Sequence, residues 1–154
     1  MEHQAGTLVL GENKRWKQDC DMGSQNNQNF VSMPIGLLKQ MIIYKASDAG
    51  IKTIMQEESY TSQADITTMD YIPVYGVDAE NAVFSGRRIS RSLYRCFNGM
   101  IINADCNGAA NIMRKAITDA WNSITDFSFL ASPEVSGFHE LNPLSISVKG
   151  IAAA

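Results

Sequence analysis

The chain has 154 residues, of which 45% are apolar and 19% are charged. A chain of this length and composition can bury a core as one domain, which excludes a wholly disordered protein. The formal net charge of -3 argues against a domain that binds nucleic acid through an overall basic balance, although local basic clusters can act independently of the total.

The cysteines and histidines give no complete metal-binding pattern. Cys20, Cys96 and Cys106 are widely spaced and form no C-x-x-C pair, which argues against a disulfide framework and against an intact zinc site. His3 and His139 are isolated, and no further ligands stand at useful spacing from them. Because no segment has the length of a signal peptide core or a membrane span, we expect a cytoplasmic protein that does not enter a membrane.

The first half of the chain predicts a strand, a helix and a second strand. Thr7–Gly11 is a short apolar run that ends at a glycine, as a buried strand does. A helix is predicted between Pro34 and Gly50, because proline suits the first helical position and glycine suits the residue just past the end. A strand over Ile51–Met55 follows, and this alternation is typical of α/β proteins. The helical spacing predicts that one face of the helix contains Ile35, Leu38, Met41, Ile42, Lys45 and Ala49.

The second half of the chain is less regular. Residues 63–100 contain several turn signals and no long periodic segment. A second helix is predicted to begin near Asn103, and beyond about Thr118 the pattern weakens into a loosely packed extension. The predicted apolar face of the second helix consists of Ala109, Ile112, Met113, Ala116 and Ile117.

Carboxylates occur at two places where functional sites often form. Glu57 and Glu58 follow the second predicted strand, and Asp105 lies in the first turn of the second helix. Strand ends gather sites in α/β sheets, and carboxylates there could hold Mg²⁺ for phosphodiester cleavage. The alternatives are ordinary ones: a first-turn aspartate commonly caps its helix or matches the helix dipole, and a Glu-Glu pair at a strand end commonly lies in a solvated turn.

Basic residues form two local clusters. Arginine suits bidentate phosphate contacts and stacking on bases, so both clusters are candidates for nucleic-acid binding, and the alternative is a solvated face. The larger cluster interleaves with Tyr94 and Phe97 and consists of Arg87, Arg88, Arg91 and Arg95. The smaller one contains Lys14, Arg15 and Lys17 and flanks Trp16, which could stack on a base or equally serve as a core anchor.

Six segments, taken in chain order, resemble the TnpB/OrfB family of proteins encoded by insertion sequences. The segments are LVLGENKRWKQ (8–18), NNQNFV (26–31), YKA (44–46), EESYTS (57–62), FSGRRI with LYR (84–89 and 93–95) and INADCNGAANI (102–112). The resemblance implies an RNA-guided DNA endonuclease, called a transposase in older usage, with DNA and guide RNA as partners. It also implies an α/β architecture, a partial RNase H-like (RuvC-type) fold with a ribbon-like irregular insertion, in which three carboxylates bind Mg²⁺.

The family pattern assigns roles to individual residues. Asp105 matches the aspartate of the third RuvC motif. Gly11 occupies the place where most of the family carries the second-motif glutamate, so we expect Glu58, or alternatively Glu57, to replace it as a catalytic metal ligand. The first-motif aspartate is expected before residue 1, so this chain alone is not expected to cleave DNA. The alternative is a catalytically inactive nucleic-acid-binding remnant or a decayed transposase fragment.

The resemblance also implies that the family's zinc ribbon is degenerate here. Gln63, Ala64 and Asp65 stand where the first pair of cysteines is expected, and Cys96 alone remains near the second pair. We therefore expect no bound zinc and a loop held by packing among Tyr71, Ile72, Tyr75 and Phe84. The predicted regions are a partial RuvC-like part (1–60), a degenerate zinc-ribbon-like insertion (61–100), a RuvC-like helix (101–117) and a weakly structured tail (118–154).

Overall fold

The computed structural model describes residues 5–13, 34–78, 80 and 82–133. Lys14, Lys17, Cys20 and both histidines lie outside the described residues. The helices are α1 (Ile35–Asp48) and α2 (Ala104–Ala116), and a short 3-10 turn covers Ser128–Leu130. The strands are β1 (Thr7–Glu12), β2 (Lys52–Glu57), β3 (Arg87–Arg88), β4 (Leu93–Arg95) and β5 (Ile101–Asn103).

The strands β1 and β2 form a parallel pair connected through α1. Their register runs from Thr7 opposite Lys52 to Glu12 opposite Glu57. The predicted strand, helix and strand are therefore confirmed, as is the mixed α/β class. Pro34 is the residue that caps α1 and not its first helical residue, whereas Gly50 follows the helix end with a φ of 72°, as predicted. This unit brings the carboxyl ends of β1 and β2 to the same edge.

The predicted face of α1 is largely exposed. Among the residues of α1, Ala46 alone is buried, while Leu38 and Met41 are 54% and 56% exposed. The helix packs against β2, and a pair of strands is too narrow to cover a wide apolar stripe. The periodicity identified the helix correctly, but the side chains that the sheet covers depend on tertiary packing.

The strands β3, β4 and β5 form an antiparallel sheet that leads directly into α2. Tyr94 pairs with Arg88 on one side and with Ile102 on the other. The expectation of an irregular segment over 63–100 is therefore only partly correct, because strands of two or three residues carry too few positions to show alternation. The main core lies between this sheet and α2 and consists of Ile66, Tyr94, Cys96, Ile102, Ala104, Ala110, Phe127 and Leu130.

The start of the predicted loose tail belongs to this core. Phe127 and Leu130 are 5% and 7% exposed, and Trp121 packs against the same cluster. The Trp121 indole donates a hydrogen bond to the Ala110 carbonyl at 3.0 Å, which fixes the segment after α2 against the helix. Residues 118–133 are thus packed more closely than the sequence predicts.

Asparagines, and not the predicted apolar stripe, form much of the buried face of α2. Asn107 and Asn111 are fully buried, whereas Ala109 and Met113 are exposed. Both asparagine amides donate to the Ala64 carbonyl, at 2.9 and 2.7 Å. Because buried amides need partners, these bonds orient α2 toward the chain that follows β2. The predicted apolar face is therefore not the face of α2 that becomes buried.

Two buried aspartates organise the loop that follows β2. Asp65 is fully buried and accepts hydrogen bonds from the Phe97 amide at 2.6 Å and from the Thr67 amide at 2.9 Å. Asp70 accepts from the Asp65 amide at 2.9 Å and from the Ser85 amide at 2.8 Å. These bonds join chain segments that are distant in sequence.

The expected aromatic packing of this loop is wrong for its two tyrosines. Tyr71 and Tyr75 are 66% and 51% exposed, so they do not form its interior. Carboxylate hydrogen bonds to backbone amides hold the loop instead. No helix in the described part of the chain is both long and apolar enough to cross a membrane.

Candidate metal and nucleic-acid site

A cavity of about 410 Å³ forms where the end of β2 meets the start of α2. Glu58 and Asp105, which come from these two elements, both line it. Tyr60, Arg88 and Gly108 also line it. The structure therefore brings two of the predicted metal ligands to one place.

Gly11 makes room for the Glu58 carboxylate. The Glu58 amide donates to the Glu12 carbonyl at 3.3 Å, which extends the pairing of β1 and β2 by one residue. A Cβ at position 11 would overlap Glu58 Oε2, and it would lie 3.4 Å from Glu58 Cδ and 3.0 Å from Ile112 Cδ1. The glutamate carboxylate therefore occupies the space that a side chain at position 11 would begin to fill.

Glu57 has a different environment from Glu58. Its Oε2 accepts a hydrogen bond from Lys115 Nζ at 2.5 Å, and its Oε1 accepts one from the Ser59 amide at 2.7 Å. Burial alone raises the pKa of Glu57, but the hydrogen bonds from Lys115 and Ser59 outweigh it, so the pKa is lowered. Lys115 also donates to the Pro73 carbonyl at 3.2 Å. Glu57 is thus part of a structural ion pair, and Glu58 is the glutamate that lines the cavity.

Asp105 does not act as the cap of α2. Asn103 Oδ1 accepts from the Asp105 and Cys106 amides, at 2.9 and 3.0 Å, so the asparagine caps the helix. The Asp105 side chain is 83% exposed, and its oxygen Oδ1 lies 3.4 Å from Arg88 Nη2. The capping alternative for Asp105 therefore fails, and its carboxylate remains accessible from the cavity.

The structure divides the arginine cluster into two parts. Arg88 Nε donates to the carbonyls of Ser90 and Arg91 at 3.2 and 3.1 Å, which holds its guanidinium in the turn beside Asp105. Arg87 and Arg95 lie directly opposite each other on β3 and β4, and both are exposed. Like charges in this position repel, so the pair is suited to receive an anion.

Three residues of the site were not identified from the sequence. Tyr60 has a φ of 63°, and its ring stacks on Phe84 with 6.3 Å between centroids and 22° between planes. Lys115 forms an ion pair with Glu57, and Gly11 leaves space for the carboxylate of Glu58. The sequence shows Gly11 only as a departure from a motif, and nothing in it marks Tyr60 as having a positive φ.

The donor set suits a hard cation. Carboxylate oxygens are the ligands of Mg²⁺, which commonly takes one or two protein carboxylates together with phosphate oxygens and water. No group of three or more His, Cys, Asp or Glu side chains converges within residues 5–13, 34–78, 80 and 82–133. The residues that are present fit part of a Mg²⁺ site, and a phosphate-bearing ligand would supply further oxygens.

The absence of zinc stays a prediction. Burial, followed by the charge of Asp65, raises the pKa of Cys96 to about 12. A thiol with such a pKa stays protonated at neutral pH, whereas zinc binds the thiolate. Asp65 itself is occupied by backbone amides, so these two residues serve the core.

Together the fold and the site define a class: an α/β domain that gathers two carboxylates at a strand end and a helix start, beside an arginine-bearing hairpin. The family model for the TNB domain of Cas12f1-like proteins matches residues 36–112, which is half of the chain. The chain belongs to this Cas12f1-like family, and the predicted TnpB/OrfB-type relationship is confirmed.

A curated relative gives the same relationship at the level of sequence. The CRISPR-associated endodeoxyribonuclease Cas12f1 of Sulfoacidibacillus thermotolerans is 37% identical to the chain over 95 residues. The match covers 60% of this chain and 18% of that protein. The chain thus matches less than a fifth of the relative's length.

Proposed function

We propose that this chain is part of an RNA-guided, Mg²⁺-dependent DNA endonuclease of the RuvC type. The observation that carries the proposal is the shared cavity of Glu58 and Asp105, which reach it from separate elements. Gly11 supports the assignment, because a side chain there would displace the Glu58 carboxylate. DNA is the proposed substrate because the relative is an endodeoxyribonuclease.

Each side chain at the cavity has a defined task under this proposal. Glu58 and Asp105 supply oxygen ligands. Arg88 lies close enough to Asp105 to contact a phosphate that is held beside the two carboxylates. Mg²⁺, when bound, supplies the charge that activates water and stabilises the leaving oxygen in phosphodiester cleavage. Glu57 is not one of the proposed metal ligands, because its carboxylate forms an ion pair with Lys115.

The proposal includes an RNase H-like fold that other parts of a longer protein complete. Parallel sheets are normally covered on both faces and contain more than two strands, and β1 and β2 are the parallel strands described here. The relative is several times longer than the matched region. We expect the third carboxylate and the residues that bind guide RNA to lie outside the match.

A nucleic-acid-binding role without cleavage is the second candidate. The opposed pair of Arg87 and Arg95 favours it, because neither residue lines the carboxylate cavity. These arginines could bind phosphates even where no metal is held. Binding of this kind weakens steeply as salt rises, since each phosphate contact releases counterions.

Mn²⁺ binding, followed by electron paramagnetic resonance of the free ion, tests the metal site in this chain. Glu58→Gln and Asp105→Asn should each weaken Mn²⁺ binding by about tenfold or more. Glu57→Gln is the matched control, which should keep the Mn²⁺ affinity while lowering stability through the loss of the Lys115 ion pair. Equal losses from Glu57→Gln and Glu58→Gln, or no Mn²⁺ binding by the wild-type chain, would contradict the assignment.

Binding of labelled DNA at several salt concentrations tests the second candidate function, which is nucleic-acid binding by Arg87 and Arg95. Arg87→Ala and Arg95→Ala should weaken binding and reduce its dependence on salt. Lys52→Ala, which removes a positive charge from an exposed residue of β2 and not from the hairpin, is the control. If all three variants lose affinity equally, the hairpin has no special role in binding.

A further inference from the structure

Tyr60 adopts a backbone conformation that its residue type disfavours. Its φ of 63° lies in the left-handed region, where glycine is the ordinary residue and an aromatic residue is strained. The turn is closed on both sides: the Thr61 amide donates to the Glu58 carbonyl at 3.2 Å, and the Gln63 amide donates to the Tyr60 carbonyl at 3.0 Å. Glycine would satisfy this backbone with less strain, so the presence of a tyrosine points to a use for its ring.

Tyr60 is one of the residues that line the cavity. It lies beside the strand end that presents Glu58, and Arg88 and Asp105 line the same space. One contact fixes the plane of the ring, since it stacks on Phe84 with 22° between the planes. Its hydroxyl makes no hydrogen bond within the described residues. The cavity thus combines a fixed aromatic ring, a cation and two carboxylates.

We propose that the Tyr60 ring stacks on an unpaired nucleobase whose neighbouring phosphate lies near Arg88. The inference rests on the proposed nucleic-acid function and adds a base-binding position to it. Aromatic side chains bind any base through its π-face, while arginine binds the phosphate. The base must be unpaired and unstacked, because neighbouring base pairs cover the faces of bases within a duplex. A cavity of about 410 Å³ lies in the size range of pockets for small ligands.

The test is a double comparison of protein variants with two oligonucleotides. One ligand is a fluorescein-labelled single-stranded oligothymidine, and the other has the same backbone with abasic sites in place of the bases. Tyr60→Ala should weaken binding of oligothymidine about tenfold and leave binding of the abasic strand unchanged. Tyr60→Phe should keep the wild-type affinity for both strands, because it keeps the ring.

Tyr60→Gly separates the ring from the backbone. It should match Tyr60→Ala in oligothymidine affinity but unfold at a higher urea concentration than Tyr60→Ala, since glycine relieves the strain at this φ. Tyr60→Trp should bind oligothymidine at least as tightly as the wild type, with quenching of indole fluorescence beyond that of the wild-type chain. This variant keeps an aromatic ring at the site, so the inference remains testable if the smaller residues impair folding.

Two outcomes overturn this inference and leave the proposed function intact. In the first, Tyr60→Ala binds oligothymidine as tightly as the wild type does. In the second, Tyr60→Ala loses the same affinity for both strands, which indicates that Tyr60 has a structural role only. Failure of the wild-type chain to bind either strand at low salt overturns the inference together with nucleic-acid binding. The wild-type measurement therefore distinguishes the two failures.

Discussion

Replacing Gly11 with alanine tests how the site holds Glu58. The added methyl group would overlap Glu58 Oε2 and would lie 3.0 Å from Ile112 Cδ1. Gly11 is not among the glycines with a positive φ, so alanine is compatible with its backbone. Because the overlapping atom ends a flexible side chain, the Glu58 carboxylate should move by about 1 Å to reach a normal contact distance.

The expected effect is on metal binding and not on folding. Replacing glycine by alanine at a compatible backbone position stabilises a protein by about 0.4–1 kcal/mol. The close approach to Ile112 offsets this gain, so the free energy of unfolding should change by less than about 1 kcal/mol. Displacement of Glu58, the proposed metal ligand, should weaken Mn²⁺ binding by roughly 10- to 100-fold, as loss of the groups that orient ligands does.

The assay combines Mn²⁺ titration with urea unfolding on the same preparations. Gly6→Ala is the matched control, because a Cβ at position 6 would meet nothing within 4 Å. It should leave the Mn²⁺ affinity unchanged and raise the unfolding midpoint slightly, because alanine is compatible with this backbone and meets no neighbour. A folded Gly11→Ala variant that binds Mn²⁺ as tightly as the wild type would refute the reasoning that Gly11 positions Glu58 for the metal.

Asp65→Asn should destabilise the chain by about 2–4 kcal/mol in urea unfolding, because a buried acceptor of backbone amides becomes partly a donor. Asp119→Asn, at an exposed residue, is the control and should change stability by less than about 0.5 kcal/mol. Equal effects of the two substitutions would contradict the claim. Burial raises the pKa of Asp70, but hydrogen bonds, including those from Ser85, lower it overall from the ordinary value of 3.8. The ionised Asp70 carboxylate therefore stabilises the fold above pH 3.8. This contribution is lost as the pH falls through the lowered pKa. Stability measured between about pH 5 and pH 3 should therefore fall less in Asp70→Asn than in the wild type, and parallel curves would exclude this contribution. Gly86→Ala should cost about 2–3 kcal/mol, because its Cβ would lie 2.5 Å from a carbon of the buried Tyr94 ring; an unchanged urea midpoint would show that the ring can move.

The elements that were predicted well have local signals in the sequence. The helix α1 is bounded by Pro34 and Gly50, and the strand before it contains the apolar run Leu8–Leu10. Helix α2 begins where Asn103 offers a capping side chain, which is again a local property. Such signals depend on neighbours within a few residues, so they can be read without knowledge of the tertiary structure.

The faces that become buried depend on distant partners, and here the predictions failed. Asn107 and Asn111 are four positions apart on α2, and that spacing could have indicated a polar contact stripe. Groups far away in the sequence make their burial favourable: the carbonyls of Thr61 and Ala64 accept from the asparagine amides, and the Ile66 amide donates to Asn107 Oδ1. Similarly, the choice between Glu57 and Glu58 depends on Lys115, which approaches from another element.

The site was located in outline because its two carboxylates follow identifiable elements. Glu58 stands at a strand end and Asp105 at a helix start, and the structure shows both at one cavity. Their metal-binding role stays a prediction. Lys14 and Lys17 lie outside the described residues, so the second basic cluster stays a prediction as well.

The opposed arginines of the hairpin link its folding to its surroundings. Arg87 and Arg95 face each other across β3 and β4, so the free hairpin contains a repulsion that any bound polyanion relieves. A ligand that removes this repulsion stabilises the paired strands by mass action. Amide hydrogen exchange in β3 and β4 should therefore slow when a polyanion binds, and high salt should produce part of the same protection without any specific ligand.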